Sequence, residues 1–179
     1  EDRSHLQGVA DALEAEGAAA ITDAGQYMDM DQFVRFYAVE SVIGQYDSYP
    51  FSSPGDDAHV FVDPSIDKLI WLPHGMDETF YYPDNNPKSV NGIVAKRCLA
   101  VGACEKAYNA AVWEVQGISE EIDLHGYAQE VQEQIADLVK ADDHKQYSNS
   151  EVSYYQDAMI DFIGGRANKL PKWVGERPE

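Results

Sequence analysis

The chain is 179 residues long and 44% hydrophobic, and its 13 basic against 32 acidic residues give a net charge of −19. That length suits one domain over residues 1–179, and the apolar fraction argues against disorder. So acidic a surface repels nucleic acid and anionic lipid, and no run approaches the roughly 18 apolar residues of a membrane span. A soluble protein, cation-rich surroundings or a divalent-metal binder fit the charge. The sequence opens at Glu1 with neither methionine nor a signal-like apolar segment, which reads as a mature, processed or partial chain.

In chain order, "SHLQGVADALEAEG" puts Leu6, Val9 and Leu13 at helical spacing, with Gly17 as a stop. In "DMDQFVRFYAVESVIG", Asp29 caps a helix with Gln32 three residues on. Phe33, Phe36 and Tyr37 line one face, and Gly44 ends it. After the loop "QYDSYPFSSPGDDA", the strand-like runs "HVFV" and "KLIWL" flank the turn "DPSID" and predict a β-hairpin. The stretch "YYPDNNPKSVNG" is again a loop.

From Ile93 the pattern is helical. "EKAYNAAVWEV" is one segment, and "YAQEVQEQIADLVK" carries the stripe Tyr127, Val131, Ile135 and Leu138. "EVSYYQDAMIDFI" carries Val152, Tyr155, Met159 and Phe162 and ends at Gly164-Gly165. Both stripes read as core faces. The expected fold class is α+β, mostly α, with helices packed around one small hairpin.

The cysteines, Cys98 and Cys104, would point about 120° apart on one continuous helix. Gly102 between them can break the helix and let the thiols meet, so a disulfide in an oxidising compartment is the favoured reading, beside two buried free thiols. No second Cys or His pair stands at zinc-ligand spacing.

Phosphate-binding glycine loops, HExxH and GxSxG are all missing from the sequence. "DMDQF" starts like a calcium loop but lacks the glycine and the distal glutamate. What remains is a polar constellation around the hairpin: Asp47 before it, Asp56 and Asp57 leading into it, Asp77 after it. A hairpin returns the chain to its start, so Asp56 or Asp57 is expected near Asp77. Carboxylates converging there repel one another unless protonated or bridged by a cation, and solvated loop aspartates are the plainer alternative.

The order of "FYAVESVIGQYDSYP", "DDAHVFVDP", "DKLIWLPHGMDETF" and "DFIGGRANKL" resembles the C-terminal half of the CotH kinase family, over Met28 to Leu170. That family is named for a spore-coat protein and is related to atypical secreted protein kinases. The resemblance implies the C-terminal lobe of a kinase-like domain, secreted or at the cell surface. It further implies transfer of the ATP γ-phosphoryl group to a protein hydroxyl with magnesium. Asp47 matches the loop Asp that accepts or orients the hydroxyl proton. Asp77 matches the last Asp of a Pro-Trp-Asp-x-Asp motif and Asp57 lies near the family's Asn, so both would hold metal.

The departures are specific. His74 and Gly75 stand where Trp and the first Asp are usual, which removes one metal carboxylate, and His74 is either a ligand or a structural hydrogen bonder. No nucleotide-contacting basic residue or phosphate loop precedes Met28. The N-terminal lobe is therefore expected upstream, on another chain, or lost. Two readings follow: an active kinase portion acting on a protein substrate, and a catalytically silent interaction domain of an extracellular or surface assembly. A calcium-stabilised module is the third.

Overall fold

The computed structural model describes residues 3–52, 55 and 57–178. Two short helices, α1 (Ser4–Ala12) and α2 (Ala18–Ala24), lead into α3 (Met30–Ile43). Asp29 caps α3 by accepting the Gln32 backbone N–H at 3.0 Å, and Gly44 closes it with a left-handed φ of 73°. Phe33, Phe36 and Tyr37 are buried as their spacing predicts.

The hairpin is present as expected: β1 (Ala58–Asp63) and β2 (Lys68–Pro73) pair antiparallel, with Ala58 opposite Pro73 and Asp63 opposite Lys68. Side chains and backbone of the α3 region complete the other edge of β2. Asp29 N–H donates to Leu69 O, and Leu69 N–H to Tyr27 O, both at 2.9 Å. The Gln32 amide then closes on Trp71, donating to its carbonyl at 2.7 Å and accepting its N–H at 2.8 Å. A helix side chain thus replaces a third strand, while the Trp71 ring packs on Phe33, Phe36 and Tyr49. Gln32→Leu strips partners from both backbone groups of Trp71 and is expected to cost about 1–3 kcal/mol in urea unfolding. A loss below ~0.5 kcal/mol would show that the pairing contributes little.

The rest is helical: α4 (Ile93–Leu99), α5 (Gly102–Glu121), α6 (Leu124–Ala141), α7 (Asn149–Lys169) and α8 (Pro171–Val174). The architecture is α+β and mostly α. Cys98 and Cys104 are disulfide-bonded across the break between α4 and α5. Tyr108 of α5 stacks on Tyr37 of α3 at 4.1 Å, and its hydroxyl meets Ser41 Oγ at 2.8 Å.

Three expectations need correction. The first helix stops at Ala12, before Gly17, and leaves Leu6 exposed; α2 then follows without having been anticipated. The α6 stripe is not a core face: Tyr127, Ile135 and Leu138 are exposed and only Ala128 is buried. This helix packs chiefly against α7 and α5, so a narrower contact suffices. Lastly, α7 runs through Gly164-Gly165 to Lys169. A Cβ on Gly164 would stand 2.9 Å from the His125 ring, so this glycine permits the close approach of α6 instead of ending a helix. Of the α7 stripe, Phe162 is buried and Tyr155 exposed.

Candidate functional site

Three pieces of chain meet at the C-terminal end of α3: its last turns, the loop from Gln45, and the turn after β2. Glu40 and Ser41 lie in the last turns of α3 and are fully buried, as are Gln45 and Ser48 in the loop. Gln45 N–H donates to the Glu40 carbonyl at 2.9 Å, which tucks the loop back under the helix. Its side-chain Nε2 donates to the Gly75 carbonyl and lies 3.4 Å from Asp57 Oδ2.

Gly75 opens the 3₁₀ turn Met76–Glu78 with a left-handed φ of 61°. A Cβ at Gly75 would overlap the Asp57 carboxylate, whose Oδ2 would be only 2.6 Å away. Asp57 therefore puts its carboxylate where the side chain of residue 75 would begin.

The electrostatics centre on Glu40. Its carboxyl is raised to about 8: burial drives the rise, Ser48 tempers it and Asp57 adds to it. Ser48 is near enough for that influence without closing a hydrogen bond of good geometry. Both Glu40 oxygens, Gln45 Oε1 and Ser48 Oγ are buried without a hydrogen-bond partner. Four orphaned acceptors in one place are unusual for a folded protein.

Asp57 is half-buried against Gly75, whereas Asp47 and Asp77 are exposed. Asp77 sits at the mouth of a cleft of about 540 Å3 lined by Tyr81, Tyr82, Tyr147, Tyr155 and Met159. Phe80, also on that cleft, holds a left-handed φ of 60° while its N–H donates to Ile43 O at 2.7 Å. His74 is exposed and its ring meets that of His59 at 4.3 Å. Asp56 lies outside the described residues. Among the described residues, no three of His, Cys, Asp and Glu converge closely enough to hold a metal ion.

Glu40, Gln45 and Ser48 escaped the sequence reading. The signal was present for Glu40, which falls four residues after Phe36 and three after Tyr37, on the apolar stripe of α3. Arg166 is equally buried. It reaches from α7 to donate to Ser41 O, to Val42 O at 3.1 Å, to Pro83 O at 3.2 Å and to the Tyr46 hydroxyl at 3.3 Å. Its guanidinium thereby caps the carbonyl end of the helix that carries Glu40.

Helices gathered on a hairpin whose turn and approach carry the carboxylates define a mostly helical α+β protein with a loop-built polar site. The family model described as CotH kinase protein matches residues 1–170, and the chain belongs to that family. No curated protein matches it, and no solved structure does. Among the described residues, no helix is long and apolar enough to cross a membrane.

Proposed function

We propose that this chain is the C-terminal lobe, one domain over residues 1–179, of a CotH-like secreted kinase that moves the ATP γ-phosphoryl group to a protein hydroxyl. The observation that carries the reading is the position of Asp57: its carboxylate lies against the Gly75 turn, two residues from Asp77. A carboxylate is thus supplied at the turn although residue 75 has no side chain.

Magnesium fits this arrangement in a limited way, because it takes one or two carboxylates and completes its shell with phosphate and water. Asp57 and Asp77 are the residues that would hold it; when bound it neutralises charge on the transferring phosphate. Asp47, exposed and beyond Gln45, would accept or orient the proton of the incoming hydroxyl. No residue of this portion is assigned to the nucleotide base or ribose, and a separate N-terminal lobe would supply those contacts.

The second reading, a silent interaction domain of an extracellular or surface assembly, is favoured by the exposure of Asp47 and Asp77 and by Gly75 itself. The test is magnesium- and ATP-dependent phosphorylation by the full-length protein. The kinase reading expects Asp47→Ala and Asp77→Asn to lower the rate on the order of 10²-fold or more. Equal rates in all three proteins would remove these roles, and an inactive parent would establish the silent domain.

A further inference from the structure

We infer that Glu40, Gln45 and Ser48, together with the Asp57 carboxylate, form a buried binding site for a calcium-sized divalent cation. The site lies at the foot of α3 and is distinct from the "DMDQF" segment at its start. It does not rest on the phosphoryl-transfer reading.

The argument begins with burial. Glu40 is 0% exposed, and neither of its carboxylate oxygens has a hydrogen-bond partner. Leaving such a group dry and unpaired costs several kcal/mol, so buried carboxylates are paired, protonated or bound to a metal. Glu40 is also not alone. Gln45 Oε1 and Ser48 Oγ are each fully buried and each lack a partner, in the same fold of chain. The Gln45 nitrogen is already committed to Gly75 O and Asp57, which fixes the amide and leaves its oxygen as the acceptor. Among the described residues, no lysine or arginine donates to the Glu40 oxygens, Gln45 Oε1 or Ser48 Oγ. The buried Arg166 spends its donors on Ser41, Val42, Pro83 and Tyr46.

The atoms left over are all oxygen: one carboxylate without partners, one amide carbonyl and one hydroxyl, with a second carboxylate alongside. An all-oxygen set selects a hard cation. Two carboxylates match a double charge. Carbonyl and hydroxyl ligands in a site closed to solvent suit calcium, which gives up its water more readily than magnesium and accepts irregular geometry. Such mixed sets need only two acidic residues.

Calorimetric titration of the full chain with CaCl2, without nucleotide, is the experiment. One calcium per chain is expected, together with a rise in melting temperature of roughly 5–10 °C at saturation. Glu40→Gln, which keeps the shape of the neutral acid, abolishes binding. Ser48→Ala, a milder change that keeps the fold testable, weakens it on the order of tenfold. Asp31→Asn, in the "DMDQF" segment outside both sites, leaves binding unchanged, and because the titration contains no nucleotide, failure of the kinase reading cannot be mistaken for failure of this one. A parent chain unmoved by calcium overturns the inference and leaves a protonated Glu40 beside buried water. Undiminished binding by Glu40→Gln overturns it as well, and so does tighter binding of magnesium than of calcium.

Discussion

Replacing Arg166 with methionine is expected to destabilise the protein by about 3–5 kcal/mol, among the largest effects available to a single substitution here. Arg166 is 2% exposed, and its guanidinium donates to three backbone carbonyls and a tyrosine hydroxyl. Methionine fills much of the volume but leaves the buried Ser41 and Val42 carbonyls without that donor. The ring faces of Phe162 and Trp173, at 5.0 and 5.8 Å, also lose their cation. Arg166→Lys keeps charge and loses the fork, so an intermediate loss is expected. Urea unfolding measures all three proteins. A change below ~1 kcal/mol in the methionine variant would mean that water replaces the side chain without penalty.

The second large effect is a dependence of stability on pH, read in chelator so that no cation intervenes. Glu40 has a folded value of about 8 against an ordinary 4.5, because burial and Asp57 disfavour its charged form. Between those values the native state holds a proton that the unfolded chain has released. The contribution is therefore fully present below about pH 4.5 and is lost as pH rises through about 8. The slope from this one group approaches about 1.4 kcal/mol per pH unit within the window. Glu40→Gln cannot titrate, so its stability is expected to stay flat over the same range and to exceed the parent's at pH 8. Parallel stability curves for parent and variant would show that Glu40 is already charged in the native state.

The fold was legible where local chemistry and burial agree. The Asp29 cap, the Gly44 stop and the aromatic face between them specify α3 before any tertiary contact is considered. "DPSID" between two β-rich runs likewise specifies the hairpin. The helices after Ile93 were legible as helices but not in their exposure. The spacing of Tyr127, Ile135 and Leu138 is amphipathic, yet which side of a helix meets a neighbour depends on where the whole helix lies. Gly164 illustrates the same limit: a glycine that admits His125 reads identically to one that ends a helix.

The polar site was harder to read for a related reason. Asp47, Asp57 and Asp77 drew attention because acidic residues beside turns are visible in a sequence. Glu40 did not, since a glutamate in "VESVIG" passes for a solvated helix position. Its burial arises only when the Gln45 loop and the Gly75 turn close over the end of α3. The end of α3 and the loop that follows it create that environment only together with a turn 30 residues further on, and neither part encodes it alone.

The interlock of Gly75 with Asp57 has a consequence for how this chain can change by mutation. Placing an aspartate at residue 75 forces the Asp57 carboxylate away from Gln45 and puts a side chain on a left-handed backbone. The two positions are therefore epistatic: a carboxylate at one makes a carboxylate at the other unfavourable. Reaching an aspartate at residue 75 therefore calls for a second change at residue 57, and the single substitution gives a less stable protein. The His-Gly form of the turn is in that sense locked by its neighbour across the hairpin.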